Sequence, residues 1–223
     1  MKDPVIVVNF KVYESSVGKN AIILSKILDS ASKETNSSIA VCVSAPDISR
    51  VFDSVNIPVF CEHVDGVDFG ARTGKILSRA IKENGAIGSL INHSEDRIPM
   101  DAIKAAVDAL KKENMISIVC AKDDFESADV SKFNPDYVAV EPPELIGGDI
   151  SVTTANPDII KRTVDAIKQV SPNVKVLCGA GVKTGADVKK AIELGCSGVL
   201  LASGITKVAD PRKAILDMCS GLK

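Results

Sequence analysis

The chain reads as an α/β protein folded into an eightfold βα barrel, and three observations point there. Eight short runs rich in Val and Ile alternate with segments whose apolar residues recur at helical spacing. Ionisable and polar side chains stand at the ends of several of these runs, where parallel strands leave a core. Aromatic residues are only 4% of a 223-residue chain that is 45% hydrophobic, so the core must be built from Val, Ile, Leu and Ala. A doubly wound sheet would alternate in the same way, and periodicity alone does not exclude it. No Gly-x-Gly-x-x-Gly opens the first helix, which weighs against that alternative.

Val5-Ile6-Val7-Val8 forms the first strand and runs into Asn9-Phe10-Lys11; Leu24, Ile27, Leu28 and Ala31 mark the helix behind it. Strands 39–43 and 58–61 follow, each with a short crossover after it. A third helix face reads Ile76, Leu77, Ala80, Ile81 and ends at the C-cap Gly85. Strand 87–91 leads to Asn92-His93-Ser94-Glu95, then to a helix with Ile103, Ala106, Val107 and Leu110 on one face and Asp101 as its N-cap. Strands 116–120 and 137–140 are joined by another short crossover, and the second runs into Glu141-Pro142-Pro143. Ile160, Thr163, Val164 and Ile167 mark the next helix, before strand 174–178. Thr184 caps a helix bearing Val188, Ala191 and Ile192 that ends at Gly195; strand 198–201 and a helix with Ile215, Met218 and Cys219 finish the chain. Nothing in this alternation offers a place to cut it, so residues 1–223 are expected to form a single compact domain.

Charge and cysteine usage narrow the function. With 27 basic against 29 acidic residues the net charge is −2, which argues against a nucleic-acid-binding surface. An anionic ligand must be held locally. No apolar run approaches membrane-spanning length, and Met1-Lys2-Asp3-Pro4 leads straight into a strand, so no membrane anchor or signal peptide is expected and the chain is read as cytoplasmic. The six cysteines contain no Cys-x-x-Cys pair, and four of them (Cys42, Cys61, Cys120, Cys178) close apolar strands. They read as packed thiols, with no metal site.

The strand ends carry the chemistry. Glu141 is followed by two prolines, a short apolar body and Gly147-Gly148, a stiff hinge and a flexible one that suit a closing loop; Glu144 and Asp149 read as solvated loop carboxylates. His93, flanked by Asn92, Ser94 and Glu95, reads as a site residue rather than a core histidine. Lys11, after Asn9, offers a fixed cation to an anionic substrate. His63 has no comparable cluster and is expected at the surface. Cys178-Gly179-Ala180-Gly181 and Leu201-Ala202-Ser203-Gly204 follow strands 7 and 8, where small residues let backbone N–H groups approach a phosphate.

These motifs together, in this order, resemble the triosephosphate isomerases over essentially the full chain. Asn9-Phe10-Lys11 resembles the family's Asn-x-Lys, His93-Ser94-Glu95-Asp96-Arg97 its His-Ser-Glu-Arg-Arg, and Gly70-Ala71-Arg72-Thr73-Gly74 its Gly-Ala-x-Thr-Gly. Glu141-Pro142 matches its base and first lid hinge. The departures (a lid without Trp, Cys-Gly-Ala-Gly for Tyr-Gly-Gly-Ser, Ala202-Ser203 for Gly-Gly) together with the short chain resemble the compact archaeal-type branch of these TIM barrels.

The resemblance implies interconversion of D-glyceraldehyde 3-phosphate and dihydroxyacetone phosphate in glycolysis and gluconeogenesis, without a cofactor. It implies Glu141 as the base and a neutral His93, held at a helix N-terminus, as the electrophile. Lys11 would neutralise phosphate and enediolate charge, Asn9 would orient the substrate, and Glu95 would pair with Lys11 or position it. Gly147, Gly181, Ala202 and Ser203 would offer N–H groups to the phosphate, with Ile146 packed beside them. It also implies a homodimer or homotetramer in which loop 65–74 enters a neighbouring subunit, Thr73 approaching its Asn9 and Lys11 and Phe69 helping to anchor the loop. Two other readings stay open: a non-catalytic sugar-phosphate-binding barrel, and another phosphosugar isomerase or epimerase on the same fold, such as a pentulose-phosphate epimerase.

Overall fold

A computed structural model of the chain describes residues 1–142 and 157–223. Eight parallel strands pair in sequence order, and β8 returns to β1 to close a barrel. They are β1 (Val5–Asn9), β2 (Ser38–Val43), β3 (Val59–Cys61), β4 (Gly88–Ile91), β5 (Ile116–Ala121), β6 (Tyr137–Val140), β7 (Lys175–Cys178) and β8 (Gly198–Leu201). All eight expected strands are present, with ends shifted by a residue at most.

The helices in chain order are α1 (Lys19–Thr35), α2 (Ile48–Phe52), α3 (Ser78–Glu83), α4 (Met100–Lys112), α5 (Asp124–Ser131), α6 (Pro157–Val170), α7 (Gly185–Glu193), α8 (Ser203–Thr206) and α9 (Pro211–Ser220). The expected short crossovers after β2 and β5 are occupied by the short helices α2 and α5. Thr184 caps α7 with a full capping box, its hydroxyl accepting from the Asp187 N–H while the Asp187 carboxylate accepts from the Thr184 N–H. Gly85 and Gly195 take positive φ just past α3 and α7.

Two local expectations need correction. Asp101 is not the N-cap of α4: extended backbone at Pro99 starts the helix at Met100. Asp101 therefore sits in the first turn, where its carboxylate accepts from the Ala102 N–H at 2.9 Å and favours the positive helix end. Ile76 and Leu77 precede α3 rather than lying on it, because the Asp65 carboxylate and N–H hold the backbone N–H and carbonyl of Ile76.

The strand period of two divides the core in half. Val5 and Val7, Ala40 and Cys42, Phe60, Leu90, Ile118 and Cys120, Tyr137 and Ala139, Leu177 and Leu200 pack together inside the barrel. Their neighbours in sequence, such as Ile6, Val8, Ile39, Val41, Cys61 and Val138, pack with the helices in a separate outer cluster. Room for Phe60 comes from Gly88, where a Cβ would stand 2.5 Å from the Phe60 ring. The inward series reaches Asn9 at the end of β1, and one step past β3, β6 and β7 it points to Glu62, Glu141 and Gly179. The barrel's own register thus selects what lines its mouth.

Candidate active site

The four candidate catalytic residues meet at that mouth, each for a separable reason. Glu141 follows Tyr137 and Ala139 on the inward series of β6, and its N–H donates to the Ala121 carbonyl at 2.8 Å. Its carboxylate is buried, 4% exposed, and Gly179 on the adjacent β7 leaves its space: a Cβ there would stand 2.5 Å from the Glu141 Cγ. Burial pushes the carboxyl from 4.5 up to about 7, although the Cys120 thiol, the Lys11 and Arg97 charges and the Ser94 N–H all favour the ionised form. One oxygen, Oε2, is buried without a hydrogen-bond partner. A carboxyl of that kind exchanges protons at neutral pH.

His93 reaches the same place through a backbone turn. Asn92 takes φ +61 after β4, which ends the alternation and redirects the chain. The Asn92 side chain holds that turn, its Nδ2 donating to the Cys120 carbonyl at 2.9 Å and its Oδ1 accepting from the Ile98 N–H at 3.0 Å. Arg97 ties the same loop down through the Asn92 and Cys120 carbonyls and the Glu126 carboxylate. His93 Nε2 then lies 3.5 Å from Glu141 Oε1.

The expected helix N-terminus is instead a single tight turn, closed by the Asp96 N–H on the His93 carbonyl, because α4 does not begin until Met100. The electrostatic consequence survives. The Glu95 N–H donates to His93 Nδ1 at 3.2 Å, leaving the ring proton on Nε2, which faces Glu141. Burial lowers the His93 pKa from 6.5 to about 4, with the Lys11 and Arg97 charges adding to the effect. The imidazole is neutral at physiological pH and can donate from Nε2.

Lys11 also takes a left-handed backbone conformation, φ +52, which is costly for a long side chain and persists where surrounding structure holds it. Its N–H donates to Asn9 Oδ1 at 3.1 Å, so Asn9 braces the turn. The ammonium pairs with Glu95 Oε1 at 2.7 Å, as expected.

Asn9, Lys11, His93 and Glu141 share the wall of one cavity of about 410 Å³ with Gly181, Ala202 and Ser203, the expected phosphate contacts of strands 7 and 8. Lys183 and Lys207 also line it. Ile146, Gly147, Glu144, Asp149 and the second hinge lie outside the described residues. Among the described residues, no group of three or more His, Cys, Asp and Glu is arranged to hold a metal ion.

A family model for triosephosphate isomerase matches residues 4–221. The chain belongs to the triosephosphate isomerase family. The triosephosphate isomerase of Methanothermus fervidus is 49% identical over 92% of each chain, and that of Methanothermobacter thermautotrophicus is 46% identical over 99% of this chain and 96% of its own. Both fit the archaeal-type resemblance. A crystal structure of the Bartonella henselae enzyme superposes with a TM-score of 0.78 over 98% of both chains at 18% identity, which shows the common fold.

Sequence reasoning passed over two members of this candidate site, and a third residue beside it. Gly179 was read as part of a phosphate loop, yet its missing Cβ seats Glu141. Cys120 was read as core, yet its thiol meets the Glu141 carboxyl. His63 was placed at the surface. Its side chain is three-quarters buried, with Nδ1 3.3 Å from Asp96 and Nε2 3.5 Å from Asp65, so it links the loops after β3 and β4.

Proposed function

We propose that this chain, working as one domain, interconverts D-glyceraldehyde 3-phosphate and dihydroxyacetone phosphate by proton transfer through an enediolate, as a glycolytic and gluconeogenic enzyme of the cytoplasm. The observation that carries the reading is the 3.5 Å pairing of His93 Nε2 with Glu141 Oε1 at a cavity wall that also holds Lys11. A substrate carbonyl oxygen placed against the Nε2–H group is polarised by a donor that cannot lose its charge, because it carries none. Glu141 takes a proton from the carbon beside that carbonyl and returns it to the neighbouring carbon. The hydroxyl proton on the first carbon passes to the former carbonyl oxygen, and the carbonyl then stands one carbon further along. The negative oxygen that develops in between is met by His93 and the Lys11 ammonium.

Phosphate recognition falls to the small-residue turns after β7 and β8. Gly181, Ala202 and Ser203 offer backbone donors there, and α8 begins at Ser203. Excluding water from the enediolate suppresses side reactions, among them loss of its phosphate by elimination.

The reading includes a homodimer or homotetramer built through residues 65–74. The base of that loop is pinned: Asp65 holds Ile76 and the Lys75 ammonium, and Gly66 lies so close to Ala105 and Ala106 of α4 that no Cβ would fit. Its tip stands clear. Phe69 is 80% exposed and Thr73 is exposed, so Phe69 anchors nothing within its own chain. A projecting, pinned loop with an apolar tip suits insertion into a second copy.

A coupled assay with D-glyceraldehyde 3-phosphate, run with and without a chelator, tests the proposal. Turnover indifferent to chelator is the expected result. Binding without turnover would indicate a non-catalytic barrel, and turnover abolished by chelator a metal-dependent phosphosugar enzyme.

A further inference from the structure

Glu62 is a half-buried carboxyl at the mouth of the barrel that the reaction above does not use. Phe60 points into the barrel and Cys61 out of it, so the strand period turns residue 62 inward, and its N–H donates to the Val43 carbonyl at 3.1 Å. One carboxylate oxygen, Oε1, is buried without any hydrogen-bond partner. A buried orphan of this kind costs stability and calls for a functional account.

The groups around it come from three other loops. The Lys11 backbone N–H and ammonium face it from the turn after β1, the Asp47 carboxylate from the turn after β2, and the Glu95 carboxylate from the turn after β4. Cys42 and Cys61 are the neighbouring thiols, and burial keeps both protonated. Glu62 thus shares this corner of the mouth with Asp47, Glu95 and Lys11, and among the described residues Glu95 forms the direct ion pair with the Lys11 ammonium.

We infer that Glu62 is a positioning residue for Lys11, whose carboxyl sets the negative charge around that ammonium and hence its hold on a dianionic phosphoryl group. The inference rests on the cavity being the substrate's phosphate site. Burial, with the Asp47 and Glu95 charges, raises Glu62 from 4.5 to about 7. In acid the carboxyl is neutral and Lys11 keeps its direct partner Glu95. As pH rises through 7 a second full negative charge joins it, and affinity for a dianion falls.

Inorganic sulfate is the probe, since it stays dianionic throughout. The measurement belongs in a Glu141→Gln background, because Glu141 also titrates near 7 and would repel an anion on its own account. His93, at about 4, is silent there. A like charge a few ångströms away moves such an equilibrium by about one log unit, so sulfate affinity should fall about fivefold between roughly pH 6 and 8 in Glu141→Gln. The double variant Glu141→Gln/Glu62→Gln should show a flat profile, and Glu62→Asp should retain the fall with a displaced midpoint. Equal pH dependence with and without the Glu62 carboxyl would overturn the inference while leaving the isomerase reading intact. Where Glu62→Gln does not fold, an unchanged midpoint in Glu62→Asp overturns it instead. Sulfate that fails to compete with triose phosphate for the cavity overturns both.

Discussion

Replacing Glu141 with glutamine keeps the shape of the side chain and removes a charge that the fold resists. The carboxyl is buried against Gly179 with one oxygen unpartnered, and its pKa stands at about 7 instead of 4.5. At 1.36 kcal/mol per pH unit, ionising it inside the fold costs about 3 kcal/mol relative to the unfolded chain. Because the folded pKa is raised, that stability is fully present below 4.5 and is lost as pH rises through 7. His93 has the opposite slope: the unfolded chain takes its proton below 6.5, the fold only near 4, so stability falls as pH drops across that window. Between 4.5 and 6.5 the two effects largely cancel in the wild type. Glu141→Gln leaves the histidine slope alone. The variant should match the wild type near pH 4 and exceed it by up to about 3 kcal/mol at pH 8.5, a gain of roughly 6–12 °C in Tm for a chain this long. Calorimetric melts from pH 4 to 9 read the difference directly, and Glu62 contributes equally to both proteins. A stability difference that does not change with pH, or a variant less stable at pH 8.5, would refute the assignment of a buried carboxyl held against ionisation.

Gly179→Ala should remain folded but displace Glu141, since the new Cβ would stand 2.5 Å from its Cγ. A shift of about 1 Å can cost 10²-fold, so kcat should fall by that order with KM little changed; an unaltered kcat would mean that the seat is not catalytic. For His93→Ala, loss of the neutral donor should remove roughly 2.7–4 kcal/mol of transition-state stabilisation, and a wild-type pH–rate profile requiring a cationic His93 would contradict its role. Thr73→Arg should give a folded species of lower mass and poor activity. Light scattering that finds a fully active wild-type monomer would exclude the assembly proposed for residues 65–74.

The strands were readable because each is covered on both faces, so eight unbroken apolar runs stood out from their polar neighbours. Asn9, Lys11, His93 and Glu141 were readable because polar groups ending such runs cannot belong to the core. Gly179 was not, because what it does depends on β7 lying beside β6, a pairing that no local pattern encodes. His63 was missed for the same reason: its two partners sit on different loops. The start of α3 was overestimated because the spacing of Ile76 and Leu77 is helical, while tertiary hydrogen bonds to Asp65 take their backbone first. Asp101 and Pro99 competed to begin α4, and the extended backbone of proline prevailed.

Exchange of substrate hydrogen with solvent tests the central claim, that Glu141 carries the proton between adjacent carbons. In deuterium oxide, wild-type protein given dihydroxyacetone phosphate should place deuterium on the carbon beside the carbonyl while product accumulates, followed by proton NMR. A positioned base contributes about 10²–10⁴, so Glu141→Gln should slow exchange and isomerisation together by at least that order while still binding substrate. A glutamine variant that exchanges and isomerises at half the wild-type rate would contradict the account.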